Sequence, residues 1–289
     1  WLVKWFRLPV AATDLDVTES LAAHGFAHMP AHLGALRDGD AVLAVVSELV
    51  ADATDGWVWF VDDVLAWLDS GQGLDALVAT AARMGTIAAE LHLALARPDD
   101  GPASLDGLRA LVHERREAAI THTAGDAGLR LRSRLAQIDA ALVGLDLSGA
   151  VPMQRIHGDL HAGQFLRGAD RTRLLLIDFD GDPMTASSDR LSVQPPERDL
   201  AGLVQSIDHV GRVAARRRPG ADPMPFVAPA VDAALVAYAA VRHYDDALLW
   251  PLRVAQELHE YAYAGLHLPV WGYVPDAAMC TLFPEEDPA

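Results

Sequence analysis

The sequence has one cysteine, Cys280, in 289 residues. A single thiol can build no internal disulfide framework. It also lies far from any paired histidines, which excludes zinc-type ligand spacing; Cys280 reads as a small hydrophobe. No apolar run reaches the roughly 20 residues a membrane span requires, and no basic-then-apolar secretion signal opens the chain. A cytoplasmic protein without a membrane partner is the expectation. Basic residues are scarce: 23 Lys and Arg stand against 40 Asp and Glu, a net charge of −17 with His neutral. Nucleic acid, which requires a cationic footprint, is therefore not an expected partner. Such a field favours a cationic ligand instead.

What is present is an ordinary globular composition, long enough to bury a substantial core. Residues 1–60 carry short β-prone runs, Trp1–Arg7 and Ala41–Val50, around a short helix at Thr18–His24. Trp1-Leu2-Val3-Lys4-Trp5-Phe6 reads as a strand already in progress, which predicts native residues before Trp1. From about Asp62 the spacing turns helical: Met84, Ile87, Leu91 and Leu95 share one face of a helix over Leu74–Ala96. Further helices are predicted over Leu105–Leu111, Gly128–Leu145, Glu197–Val213, Pro225–Ala247 and Trp250–Tyr263. Met153–His157 and Arg173–Phe179 read as strands around a polar loop, and Leu174-Leu175-Leu176-Ile177 has the continuous apolar character of a buried strand. The order is a small β-containing lobe, residues 1–60, followed by a mostly helical lobe, residues 61–289, with one β-loop-β insertion.

That insertion concentrates polar residues: Ile156-His157-Gly158-Asp159-Leu160-His161-Ala162-Gly163-Gln164, then Leu176-Ile177-Asp178-Phe179-Asp180-Gly181-Asp182-Pro183. Phosphoryl transfer to an alcohol needs a carboxylate to orient the hydroxyl and accept its proton. It also needs oxygen donors for a divalent cation that neutralises phosphate charge. Asp159 can be the base, the Gln164 amide can offer an oxygen, and Asp178, ending a buried strand, can offer a carboxylate. The bland alternative is two loop carboxylates that make turns.

These residues resemble the catalytic loop of the protein-kinase-like fold, HxDxxxxN followed by a strand and an Asp. The HGD spelling resembles its aminoglycoside phosphotransferase and choline kinase branch. Gln164 stands where most relatives have Asn, a departure similar to the maltokinase group, and the likeness extends to Pro196-Glu197-Arg198-Asp199-Leu200-Ala201-Gly202. The resemblance implies an α+β, bilobal fold and ATP with Mg2+. It implies Asp159 as catalytic base, with Gln164 and Asp178 on the metal. It also implies a strand lysine on the nucleotide phosphates, matched by Lys4, with Glu19 as its ion-pair partner. The linker around Glu48 and Val50 would offer backbone groups to adenine. Asp199 would anchor the catalytic loop through backbone hydrogen bonds, and His157 would organise it.

The acceptor side falls in Gln256-Glu257-Leu258-His259-Glu260 and Pro269-Val270-Trp271. Gln256 and Glu260, four apart, share a helix face. With Trp271 they form a sugar-binding set of amide, carboxylate and aromatic plate; the alternative is a surface helix with a sealing Trp. Maltokinases carry Lys on this helix and Arg before the proline, whereas this chain has Gln256 and His267-Leu268-Pro269. The pattern is more similar to the actinobacterial glucosamine kinases. That implies a small-molecule amino sugar as partner, with Glu260, Asp159 and Asp182 available to neutralise its amine. A maltokinase, an aminoglycoside phosphotransferase and a pseudokinase-like binding module remain as alternatives.

Overall fold

The short β-prone runs of the first fifty residues pair, with a third segment between them, as a three-stranded antiparallel sheet. Strands β1 (Leu2–Val10), β2 (His32–Asp38) and β3 (Ala41–Ser47) take the order β1-β3-β2. Lys4 and Ala35 both pair with Val45, so the three side chains leave one face of the sheet. Helix α1 (Thr13–Ala23) contributes Leu15 to a small cluster with Val42 and Val45 on that side. Strand β2 was not expected: Pro30 and Gly34 read as punctuation, yet a register shift between His32 and Gly34 absorbs the glycine within the strand. The computed structural model describes every residue except 11, 12, 40, 148, 170, 172, 183–191 and 285–289. Pro183, the last residue of the second motif, lies outside the described set.

The helical lobe follows. Helix α2 (Gly56–Ser70) begins earlier than the spacing predicted, because Asp55 caps it by accepting the Val58 N–H at 3.0 Å. The boundary at residue 60 therefore falls inside a helix, and the break in regular structure lies between β3 and α2. Helix α3 (Leu74–Leu95) matches its predicted span within a residue. Strand β4 (Pro102–Ala103) pairs with β5 (Val151–Pro152), and helices α4 (Asp106–His122), α5 (Gly125–Ser133) and α6 (Leu135–Leu147) lie between them. The single helix expected over 128–145 is thus two. The strand expected at Met153–His157 is also absent. Only an isolated bridge, Gln154 with Gln194, forms there.

Strands β6 (Phe165–Arg167) and β7 (Leu174–Leu176) make the two-stranded insertion, with all three residues of β7 buried. Helices α7 (Glu197–Arg217), α8 (Met224–Val241), α9 (Asp246–His267) and α10 (Tyr273–Leu282) complete the lobe. α8 is long and apolar enough, by composition alone, to cross a membrane. Here Phe226, Val227, Ala230, Val231, Ala234 and Tyr238 are buried, as one face of a core helix would be. It approaches α3 closely at Gly85, where a Cβ would lie 2.1 Å from the Ala234 carbonyl oxygen. The main core runs from Phe60 and Leu91 through Phe165 and Leu203 to Phe226 and Leu252, beneath the polar insertion.

Candidate active site

The polar loop between β5 and β6 is fixed from below. Asp199, 2% exposed in the first turn of α7, accepts the N–H groups of His157 at 2.6 Å and Gly158 at 2.9 Å. His92 from α3 meets the same carboxylate at 3.1 Å, and its other ring nitrogen meets the Tyr238 hydroxyl at 2.7 Å. Hydrogen bonds, first from His92, hold the Asp199 carboxyl below its ordinary range although burial opposes them. His157 spans the loop: one nitrogen faces the Ile177 carbonyl at 3.0 Å and the other accepts the Asp159 N–H at 3.4 Å. The Ala162 N–H donates to Ser206 Oγ at 2.8 Å. Gly56 at the start of α2 lies so close that a Cβ would sit 1.8 Å from the Ala162 oxygen. These are the anchors that the resemblance implied for Asp199 and His157.

Asp159 stands at the lip of this loop. Gln164 Nε2 is 3.5 Å and His161 Nε2 is 3.9 Å from its Oδ2. Burial, assisted by the carboxylates of Asp182, Asp178 and Asp199 and opposed by His161, pushes the Asp159 carboxyl up to about 6. The Ile177 N–H donates to the Gln164 carbonyl at 3.0 Å, so the residue before Asp178 is tied to Gln164. Asp178 sits in the left-handed region, φ 64°, at the turn after β7.

Two cavities flank this group. One, of about 450 Å³, is lined by Lys4, Glu48, Val50, Val45, Leu176 and Asp178. Its walls are mostly apolar, with the charged Lys4, Asp178 and Glu48 among them. Lys4 reaches Asp178 Oδ1 at 3.2 Å and Asp180 Oδ2 at 2.7 Å. The expected Lys4–Glu19 pair is not formed. Glu19 is engaged by Arg37 at 3.1 Å and lies 4.0 Å from His32, out on the sheet edge. The Glu48 side chain is likewise used locally, by Arg173 at 2.9 Å and the Ala31 N–H at 3.2 Å. The Glu48 N–H donates to the Ala31 carbonyl at 2.9 Å. The linker therefore has the Glu48 carbonyl and the Val50 backbone to offer.

The second cavity, of about 340 Å³, lies on the helical side and contains Asp159, Gln256, Glu260 and Trp271. Trp271 Nε1–H donates to Glu260 Oε2 at 2.9 Å, and Gln256 Nε2–H donates to Glu260 Oε1 at 3.2 Å. The three residues singled out from the sequence meet at one carboxylate. Asp182 also lines the cavity, but the guanidinium of Arg115 grips it and that of Arg198 lies 3.4 Å away. It is not available to neutralise an amine, contrary to expectation. Several residues of this cavity were given no role from the sequence. Arg115 comes from a helix with no motif, His259 lies inside the Gln256–Glu260 stretch without having been given a role, Trp57 meets Trp271 at a tilt with centroids 5.2 Å apart, and His209 stands edge-on to Trp271 at 6.2 Å. Only the i, i+3 placement of His259 after Gln256 could have signalled one of them.

Among the described residues no group of three or more acidic, histidine or cysteine side chains could cage a metal by itself. Two hard oxygen donors nevertheless lie on neighbouring segments, the Gln164 amide and the Asp178 carboxylate, and the Ile177 N–H ties those segments together at the Gln164 carbonyl. That carboxylate already attracts the cationic Lys4. Mg2+ held by one or two protein oxygens together with substrate phosphates fits such a set.

A small sheet over a helical lobe, a loop carboxylate in one of two adjoining cavities, and a buried aspartate bolting that loop down define a kinase-like phosphotransferase. Residues 13–244 match the phosphotransferase enzyme family (APH), and the chain belongs to it. A glucosamine kinase of Streptacidiphilus jiangxiensis is 36% identical over 306 residues, spanning 98% of this chain and 69% of that protein. A glucosamine kinase of Mycolicibacterium smegmatis is 34% identical over 292 residues, spanning 92% and 70%. A solved glucosamine kinase in complex with glucosamine, ADP and inorganic phosphate superposes with a TM-score of 0.89 at 36% identity, over 98% of this chain and 72% of that one.

Proposed function

We propose that this protein transfers the γ-phosphoryl group of ATP to a hydroxyl of glucosamine, the 6-hydroxyl, giving glucosamine 6-phosphate. The observation that carries the amino-sugar reading is Glu260. Its carboxylate lies in the cavity that also contains Asp159, and both oxygens are held by neutral donors, Gln256 Nε2 and Trp271 Nε1. Among the described residues no cation pairs with it, so its charge is left for a cationic ligand. An ammonium there gains a charge-assisted hydrogen bond that a neutral sugar does not. The names of the two relatives and the ligands of the solved kinase support the same reading.

In this reading ATP occupies the cavity beside Lys4, with adenine against the backbone at Glu48 and Val50 and the phosphates toward Lys4. The break between β3 and α2 separates a nucleotide lobe from an acceptor lobe. The sugar stacks on Trp271 with its amine at Glu260. Asp159 accepts the hydrogen bond of the reacting hydroxyl and takes its proton as the oxygen attacks the γ-phosphorus; the bond to the β-phosphate oxygen breaks and ADP leaves. Gln164 and Asp178 would hold Mg2+, which when bound supplies charge neutralisation across the phosphates. Closure of the lobes excludes water and suppresses ATP hydrolysis. A cytoplasmic setting, where ATP is available, suits this chemistry.

The test is ATP consumption with magnesium across glucosamine, glucose, maltose, N-acetylglucosamine and several aminoglycosides. Turnover on glucosamine that exceeds every neutral sugar is expected. Preferential turnover of maltose or of an aminoglycoside would overturn the acceptor assignment.

A further inference from the structure

Behind the acceptor cavity lies a polar chain that the reaction described above does not use. Glu257 on α9 is fully buried. One of its oxygens, Oε1, receives His209 Nε2–H at 2.8 Å and Gln205 Nε2–H at 2.5 Å, both from α7. Arg253 Nε–H in turn donates to Gln205 Oε1 at 2.7 Å. The other carboxylate oxygen, Oε2, finds no hydrogen-bond partner among the described residues. A carboxylate in the interior with one oxygen unsatisfied is costly unless a cation stands against it. His209 is the group in contact that can supply the charge. Burial alone would lower the imidazole, but the adjacent Glu257 carboxylate overcomes this and pushes it up to about 9. Burial also raises the Glu257 carboxyl, opposed by the bonds from His209 and Gln205. The 2.8 Å contact and the raised imidazole make this a charge-assisted hydrogen bond that favours the protonated ring. The other charges near it are Arg253, which also feels the Glu257 carboxylate, Asp208, paired with Arg212 at 2.9 Å, and Glu260.

The ring of His209 is at once the end of this buried chain and part of the acceptor cavity wall. Its Nε2 is committed to Glu257, and its Nδ1 has no protein partner among the described residues. It meets the Trp271 plate edge-on, with an interplanar angle of 87°. We propose that His209 is a further acceptor-binding residue: clamped through Nε2 by Glu257, it donates Nδ1–H to a hydroxyl oxygen of the sugar lying on Trp271. This rests on the sugar-kinase reading and deepens it. The cavity then carries opposite charges against one aromatic ring, the Glu260 carboxylate at the Trp271 Nε1–H and the His209 imidazolium edge-on to it. An amino sugar has a matching polarity. Its ammonium is attracted to Glu260 and repelled from His209, whereas a hydroxyl oxygen is a good acceptor for the imidazolium. The pair therefore selects one orientation of the ring as well as a class of sugar. Orientation decides which hydroxyl meets Asp159.

The experiment combines kinetics with a spectroscopic readout on the intact protein. His209→Phe keeps ring volume but leaves Glu257 buried and unpaired, so it is paired with the double variant His209→Phe/Glu257→Leu, which removes both charges. The expected result is a 10- to 100-fold rise in the KM for glucosamine with the KM for ATP within about twofold. Singly deoxygenated glucosamines should behave alike in wild type and variant for the hydroxyl that His209 contacts, and differ for the others. In wild-type protein labelled with 15N-histidine, glucosamine alone should shift the His209 Nδ1 resonance, identified by its loss in the variant. An unchanged glucosamine KM in the folded double variant overturns the proposal. So does an Nδ1 resonance that stays put at saturating glucosamine while turnover is normal. A wild-type protein that neither binds nor phosphorylates glucosamine overturns the acceptor reading itself, and this proposal with it.

Discussion

Gly158 and Gly181 stand back to back: a Cβ on Gly158 would lie 3.2 Å from the Gly181 Cα, and both residues have positive φ, 85° and 75°. One precedes the catalytic-loop Asp159. The other precedes Asp182, on the loop that also carries Asp178. The two glycines let the loop of Asp159 and the loop of Asp178 touch through backbone alone. Any side chain there pushes the two carboxylate systems apart.

Gly158→Ala should therefore act on chemistry more than on folding. The left-handed φ and the tight contact each cost on the order of 1 kcal/mol or more. A fall in kcat of at least tenfold is expected, with a loss of stability of about 1–3 kcal/mol. Steady-state kinetics and thermal melts check both, and a variant with wild-type kcat would show that the two loops need not touch.

Asp159→Asn should retain nucleotide binding and lose on the order of 10²- to 10⁴-fold in kcat. The wild-type profile carries a second signature. With the Asp159 carboxyl raised to about 6, the base is protonated below that pH, so kcat/KM should fall as pH drops through 6 and level off above it. A profile flat from pH 5 to 8 would mean that Asp159 does not take the proton.

The Arg115–Asp182–Arg198 knot ties the phosphate-facing loop to α4 and to the start of α7. Asp182 is 5% exposed, so its removal leaves two guanidinium groups against each other in the interior. Asp182→Ala should destabilise the protein by about 3–5 kcal/mol, the cost of breaking a buried ion pair on one side. Chemical denaturation gives the number. A loss below about 1 kcal/mol would show that the knot is solvated.

Much of this arrangement was legible because it is local. HGD, the Gln five residues on and the IDFDG segment lie within one short stretch of chain, and their spacing survives any packing of the rest. The helical face of Met84, Ile87, Leu91 and Leu95 was legible for the same reason; all four are buried. Gln256, Glu260 and Trp271 could be grouped because one helix turn and one short loop connect them. Pairings between distant segments could not be read. Glu19 sits on the right helix to meet Lys4, but Arg37 on strand β2 captures it. That strand was hidden by a glycine which the sheet absorbs as an irregularity. Asp182 looked like a free acid because nothing in its neighbourhood announces Arg115, 67 residues earlier. His209 and Glu257, 48 apart on different helices, become a pair only when α7 packs on α9.

That last pair gives the pH dependence of stability its sign. His209 in the unfolded chain titrates near 6.5 and in the folded protein near 9, so folding takes up a proton between these values. The stabilisation is fully present below about 6.5 and is lost as pH rises through 9. Asp159 and Glu257 are also raised by burial, and a raised carboxyl likewise favours the folded state at low pH. Asp159 has finished titrating above about 7, so it contributes little change from pH 7 to 9. In that window stability should fall by on the order of 1–3 kcal/mol. A His209→Phe/Glu257→Leu variant removes both titrating groups and should show a nearly flat profile over the same range. Melting curves at pH 7, 8 and 9 for the two proteins decide the matter. Parallel declines would assign the loss to other groups and leave the His209–Glu257 pair without its charge.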